Sequence, residues 1–466
     1  MRAKAAATLE IAGQTCPLSI EADWTLKGEC PGLPLGTHAF TLTYRHSDFN
    51  VVIAEASGSL TLDATARTPL VIPALTKNQD DDADGHNNLS EIQFGTHPKD
   101  FASKPAAPAF SPLASFAVGS DPRAVAVARL NTDPVPDIVT ANWADDTVTV
   151  RLGNSDGTLQ AATTYQTGPV GGGPLNPLDL VLKDMDGDGA RDIVVANSAE
   201  ESGGAGSVAV LLGNGNGTFQ TAKTTAVGNR PVALVLDDLN KDGFQDAVTG
   251  DFISENISIL PGKGDGTFQT PVAPGSGLVG DVTALAVGDI NSDTHLDIAA
   301  SVLTSASVVI FLGDGAGGFQ NPLTTPVGRI ISLSLADLNG DPFLDLAATL
   351  APDPSDPDPA LIAVLIGNNN GTFQAPQFYK AGRSPGSMAL QNLDSDGALD
   401  IVTENEGEGV VAVLRGNVDG SFQTPVFFEA GKQPGWVALG DLNGDGGFDF
   451  VLTDRASNQV SILLTK

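Results

Sequence analysis

One aspartate recurs seven times along the chain at a nearly constant interval: Asp137, Asp192, Asp246, Asp297, Asp345, Asp400 and Asp449. The intervals are 55, 54, 51, 48, 55 and 49 residues. Each of these aspartates ends a nine-residue acidic segment and begins an apolar one, as in "KDMDGDGARDIVV" (183–195). A repeat of about 50 residues is too long for a solenoid coil of one or two strands and suits a four-stranded propeller blade.

The units share one grammar. An alternating strand such as "PVALVLDD" (231–238) runs into an acidic loop, "DLNKDGFQD" (238–246). A second strand starts on the last aspartate, as in "DIVVAN" (192–197), and a third reads "SVAVLLG" (207–213). A turn, "NGNGTFQ" (214–220), and a fourth strand such as "PQFYKAG" (376–382) complete the unit. Period-two alternation and β-branched residues predict strands throughout. The turn recurs six times, beginning at Gly153, Gly213, Gly262, Gly313, Gly367 and Gly416. Its Asn-Gly and Asp-Gly steps supply the positive φ of tight hairpins, and the aromatic that follows reads as a plug for the blade edge.

The seventh unit ends at "QVSILLTK" (459–466) without a turn or fourth strand. The missing piece stands ahead of the first unit, where "FSPLASFAVG" (110–119) aligns with "FQTPVFFEAG" (422–431). This strand is expected to complete the last blade, which fixes the number at seven and removes the open edges. Four residues before each loop stands a large apolar residue: Val125, Leu180, Leu234, Leu285, Leu333, Met388, Val437. One position earlier the residue is small in five units, and Asp179 and Trp436 break that column. Large against small suits faces that interlock around a narrowing axis.

The expected fold is therefore all-β: a seven-bladed propeller over 110–466, preceded by a small β-domain over 1–76. Strand-like alternation in "GTHAFTLTYR" and "SGSLTLDA" makes an immunoglobulin-like sandwich the candidate for that domain. Residues 77–98 form an acidic loop segment and 99–109 a linker. Cys16 and Cys30 would close a loop of about 15 residues in an oxidising compartment, worth roughly 3 kcal/mol.

Charge narrows the partners. The chain has 56 acidic and 24 basic residues, a net charge of -32. Nucleic acid and anionic membrane surfaces are disfavoured, and cations are favoured. No stretch approaches 18 consecutive apolar residues, so no spanning helix is expected. The N-terminus lacks the apolar core of an export signal, and the chain is expected to begin downstream of one.

The acidic loops explain the charge. Oxygens at positions 1, 3, 5 and 9 of a nine-residue loop, with the carbonyl of position 7, can converge on one cation. Six to eight hard oxygens suit Ca²⁺ better than Mg²⁺, and the lack of soft ligands argues against zinc and copper. Glycine at position 6 permits the bend. Three loops are complete. They supply Asp184, Asp186, Asp188, Ala190 (by its carbonyl) and Asp192; then Asp238, Asn240, Asp242 and Asp246; then Asp441, Asn443, Asp445 and Asp449. A fourth, Asn392, Asp394, Asp396 and Asp400, places Asn at position 1. Asp289, Asn291, Asp293 and Asp297 keep their ligands, but Thr294 replaces the glycine and weaker binding is expected. Asp337, Asn339, Asp341 and Asp345 surround Pro342, which is not expected to take positive φ. Asn131, Asp133 and Asp137 follow Arg129 and flank Pro134, and no metal is expected there. A separate site, "DDDADGHNNLSE" (80–91), offers Asp80, Asp82, Asp84, Asn88 and Glu91 in calcium-loop spacing. In all, about four to six Ca²⁺ ions are expected.

These loops, together with the G-x-x-x-G-[TSG]-F-Q turns, resemble the FG-GAP/VCBS repeat family, whose units also build the integrin α-subunit propeller. The resemblance covers about 110–466. It implies a seven-bladed propeller with Ca²⁺ in the loops joining strands one and two of a blade, held by the residues just named. Residues 80–98, ending "FGTHP", are similar to a bacterial thrombospondin type 3 calcium repeat. Both resemblances imply an exported or surface-attached protein.

Three functional readings follow. The first is an extracellular binding or adhesion module, monomeric, meeting a protein or glycan on the face away from the acidic loops. That face carries three long loops, 166–177, 197–207 and 350–360. Trp143, Trp436 and Asp179 are its candidate ligand-binding residues. The second is a polysaccharide-acting enzyme such as a lyase. Of five histidines only His295 lies in the repeats, and no catalytic residue is assigned. The third is a structural surface spacer.

Overall fold

The computed structural model describes residues 110–466 except 112, 170–173, 200–203, 275–279, 353–361 and 466; before residue 110 it describes the backbone of six strands. The chain divides into two compact units, Met1–Ala107 and Pro108–Lys466. In the first, strands Ala5–Ile11, Gln14–Ile20, Leu26–Gly28, Gly36–His46, Val51–Leu62 and Leu70–Ile72 form one antiparallel sheet. Its spatial order is fifth, fourth, first, second, third, sixth. The acidic segment with Asp80, Asp82, Asp84, Asn88 and Glu91, the linker and the Cys16–Cys30 pairing lie outside the described residues.

The second unit is a seven-bladed propeller. Each blade is an antiparallel meander: an inner strand, a second strand starting on the recurrent aspartate, a third, and an outer fourth. In the first blade these are Pro122–Ala128, Asp137–Asn142, Thr147–Arg151 and Thr163–Gln166. In the third blade a single bridge between Ile259 and Val272 stands in for the fourth strand.

The ring closes as the repeat phase requires. The last blade orders Pro434–Gly440, Asp449–Asp454, Gln459–Leu463 and Ala114–Ala117, with Gln459 opposite Ala117 and Ile462 opposite Ala114. Phe110 anchors the joint, its ring 4.7 Å from Phe428 and 4.8 Å from Phe450. Closure leaves no blade with an open neighbour, which is how a propeller protects its sheet edges.

Burial follows the layering. All six residues of the second strand are buried in every blade, because neighbouring blades cover both of its faces. Aliphatic side chains such as Val139, Ile193 and Val195 are fully enclosed, each worth about 1.5–3 kcal/mol. The inner strand shows a register shift near its start in all seven blades, with proline as its first residue in five. Proline is tolerated at a strand's first residue, and the bulge re-aims the side chains toward the axis.

Candidate functional site

The seven acidic loops join inner to second strands and lie on one rim of the ring, beside the hairpin turns that join third to fourth strands. Each loop is a chain of short side-chain-to-backbone turns. In the second blade Asp184 accepts the N–H groups of Gly187 (2.7 Å) and Gly189 (2.9 Å), and Asp188 accepts that of Ala190 at 2.7 Å. The bonds from the sixth and seventh loop positions recur around Asp238 and Asp242, Asp289 and Asp293, and Asp441 and Asp445. This winding turns alternate side chains toward one point.

The sixth loop position has positive φ in six of the seven loops: Gly189, Gly243, Thr294, Pro342, Gly397 and Gly446. The expectation that Pro342 stays out of this region is corrected, since it sits at φ 37. The loop's other hydrogen bonds, from Gly340, Asp341 and Phe343, hold the common shape against the ring's preference. Pro134 in the first loop does not adopt positive φ.

The ninth position is a latch. In every blade its Oδ2 accepts the N–H of the second loop residue, from Leu130 in the first blade to Leu442 in the last, at 2.7–3.0 Å. Its Oδ1 accepts the N–H of the first turn glycine at 2.7–2.8 Å: Gly153, Gly213, Gly262, Gly313, Gly367 and Gly416. Thr465 takes that place in the last blade, at 2.8 Å. The turn starts on glycine because a Cβ there would strike the carbonyl before the latch, as at Pro136 and Arg191. Asp137 makes both bonds although its loop begins with Arg129. The Leu or Phe that ends the turn packs inward as a plug, buried at Leu159, Phe219, Phe268, Phe373 and Phe422.

Electrostatics separates the corners. Burial pushes the Asp192 carboxyl up to about 6, and the charges of Asp186 and Asp184 push it further in that direction. Burial and acidic neighbours also raise Asp246, Asp297, Asp345 and Asp449. Oxygens of Asp184, Asp186 and Asp188 lie within 4.8 Å of one another, a group that could hold a metal ion. All three are carboxylates, so the donor set fits a hard cation. In four other corners asparagine replaces the middle acid and its amide donates to the acid two residues on. The pairs are Asn240–Asp242, Asn291–Asp293, Asn339–Asp341 and Asn443–Asp445, at 2.9–3.0 Å. That internal donor relieves part of the repulsion, and the second corner lacks it.

The sixth corner holds a cation of its own. Arg415 is buried, with Nη1 2.8 Å from Asp400 and 3.2 Å from Asp394. Asp400 is still raised by burial, but Arg415 pulls it down where other corners have only acids. The sequence reading passed over Arg415 because it lies outside the nine-residue loop. Its signal was there: the residue before the turn glycine is Leu152, Leu212, Pro261, Leu312 and Ile366 in other blades, and Leu464 precedes Thr465 in the last.

The family comparison follows this geometry. The profile described as FG-GAP-like repeat matches residues 129–195, 184–249, 238–300 and 392–452, each match starting on the first residue of an acidic loop. Together the matches cover half of the chain. The chain is an FG-GAP-like repeat protein. No curated protein matches it. Among solved structures the FG-GAP-like chain is similar to a virginiamycin B lyase from Staphylococcus aureus, at 10% identity and a TM-score of 0.49. That likeness covers 77% of this chain and 100% of the other.

The opposite rim of the FG-GAP-like ring carries the remaining predicted residues. Trp143 begins a turn there, with the Arg123 guanidinium 5.1 Å from its ring centre. Trp436 and Asp179 line a cavity of 440 Å³ at this end of the central channel, and Trp143 is not among its lining residues. Asp179 is buried, and both its oxygens accept backbone N–H groups, from Leu180 and from Leu234 of the next blade. Burial pushes its carboxyl up to about 7. Among the described residues no helix is long and apolar enough to cross a membrane.

Proposed function

We propose that the propeller is a calcium-stiffened extracellular or cell-surface module that binds a protein or glycan through the rim away from its acidic loops. The observation that carries this reading is the division of labour between the rims. One rim repeats a single corner seven times, latched by buried aspartates and dense in carboxylates. The other carries connections of unequal length, including 166–177 and 197–207 around the second blade. A rigid ring with one constant and one variable rim is a scaffold for loops that recognise partners. Ca²⁺ would be held by Asp184, Asp186 and Asp188, and by the corners in which asparagine replaces the middle acid. It supplies positive charge to corners dense in carboxylates. The FG-GAP-like family, typical of extracellular proteins, supports this placement.

The test uses the full chain on glycan arrays and in pull-downs from surface extracts, with calcium and with chelator. Shortened versions of the 166–177 and 197–207 loops are run in parallel. Binding that needs the loops supports recognition; binding indifferent to them, or none to any partner, points to a spacer.

A further inference from the structure

The fifth residue of the second strand is small in six blades: Ala141, Ala196, Gly250, Ser301, Thr349 and Thr453. In the sixth blade it is Glu404. Ser301 and Thr349 show what the position does. Each hydroxyl accepts an inner-strand N–H at the bulge, from Ala284 at 2.7 Å and from Ser332 at 3.1 Å. Glu404 does the same with Oε1, which accepts the N–H of Ser387 at 2.9 Å. A hydroxyl would have sufficed. The glutamate is larger than the site needs, and Gly386 leaves room for it, since a Cβ there would meet Oε1.

The surplus atom is Oε2. It is buried, makes no hydrogen bond of normal geometry, and belongs to a residue 2% exposed that lines the channel cavity. The Glu406 N–H exerts only the smallest pull on the carboxyl. A buried polar atom left unpaired costs about 1–3 kcal/mol, so Oε2 is placed to take a partner from outside the protein, water or a ligand.

The surroundings define that partner. Arg455 is already engaged by Asp121 at 3.0 Å and by Glu406 at 2.9 Å, so it offers no free charge to an anion. The net charge of -32 disfavours anions further. A cation would require Glu404 to ionise in a place water hardly reaches, at a high desolvation cost. What remains is neutral hydrogen bonding. The residues lining the cavity also include Ser332, Ser334 and Trp436. A wall that combines serines with a tryptophan suits a molecule with polar edges and an apolar C–H face. A volume of 440 Å³ falls within the range of small-ligand pockets.

We infer that the channel end bounded by Glu404 and Trp436 binds a small neutral polyhydroxyl compound, of mono- or disaccharide size, with Glu404 Oε2 as its deepest hydrogen-bonding contact. This site is independent of any macromolecular partner on the surrounding loops, so either can fail without the other.

The test is calorimetric titration of the full chain with glucose, galactose, maltose and cellobiose, and with glucosamine and glucuronate as charged controls. At least one neutral sugar should bind, with the charged analogues about tenfold weaker or more. Glu404→Thr copies the fifth blade and should keep the fold while weakening binding about tenfold or more. Glu404→Gln preserves shape and neutrality and should stay within about threefold. No binding by any neutral sugar overturns the inference. So does an unchanged affinity in a folded Glu404→Thr protein, or a charged analogue that binds more tightly.

Discussion

Arg415 reaches Asp400 at 2.8 Å inside the sixth acidic corner and so puts a covalently attached positive charge among its carboxylates. Removing it should make that corner depend on added cation. Arg415→Leu restores the aliphatic residue found before most turn glycines, but leaves Asp394 and Asp400 unpaired. Losing one partner of a buried ion pair costs about 3–5 kcal/mol. We expect a melting midpoint well below wild type in chelator, partly recovered by Ca²⁺. A midpoint equally low with and without Ca²⁺ would mean that metal cannot take the guanidinium's place.

Asp137 separates the latch from the metal site, because its loop begins with Arg129 and contains Pro134. Asp137→Asn keeps the shape but gives up one acceptor, leaving the N–H of Leu130 or Gly153 unmatched. A loss of about 2 kcal/mol is expected in denaturant titrations run in chelator. Calcium stoichiometry should not change. A fall in bound calcium would assign Asp137 a ligand role instead.

Asp186 and Asp188 test the second corner. The wild-type chain should gain stability with free Ca²⁺, about 2.7 kcal/mol at a hundredfold excess over Kd if one site dominates. The Asp186→Asn, Asp188→Asn double variant supplies neutral amides in their place. It should be more stable than wild type in chelator, because repulsion is relieved, and should respond less to Ca²⁺. Equal calcium responses of the two proteins would falsify metal binding at this corner.

Pro342 sits at φ 37, where its ring is strained. Pro342→Gly restores the residue that four sister loops carry at this position. The variant should melt higher despite the entropy that glycine adds to the unfolded chain. A lower midpoint would show that the proline is accommodated without strain.

Glu404 and Asp179 give a pH dependence of definite sign. Burial pushes Glu404 up to about 8; the Ser387 N–H, Arg455 and the Glu406 N–H pull it down, and the Glu406 carboxylate pushes it up. Burial pushes Asp179 up to about 7, against the N–H groups of Leu234 and Leu180. Both carboxyls hold protons more tightly folded than unfolded. Their contribution to stability is therefore complete below about pH 4 and declines as the pH rises through about 7 and 8. Glu404→Gln should remove its share of that decline and raise the midpoint at pH 8.5 by about 2 °C or more. Parallel pH profiles for the two proteins would contradict the raised value.

Much of the ring was legible in the sequence because propeller blades are built from local hairpins. The interval between Asp137 and Asp449, the strand order within a unit and the closing strand at Ala114–Ala117 follow from repeat phase alone. The role of the ninth aspartate was not legible from spacing. Its second contact, Gly213 for Asp192, lies 21 residues on, beyond a strand and a variable loop. A metal ligand and a backbone latch look alike in a nine-residue window. Arg415 and Glu404 were missed for a related reason. Each is ordinary within its own strand and becomes unusual only when blades are superposed, where one interrupts an aliphatic column and the other a column of small residues.

The strand that seals the last blade also sets a timetable for the protein's synthesis. Ala114–Ala117 leaves the ribosome before any complete blade, yet its partner Gln459–Leu463 is made only after the intervening blades. At ordinary translation rates that interval is roughly 20–70 s. Throughout it, the growing stack presents an apolar flank with nothing against it. A product cut short within the seventh unit would keep that flank for good and be open to chaperones and proteases. The seal thus works as a check on completion of the ring, since only a chain translated through Gln459–Leu463 can hide the edges of its last blade.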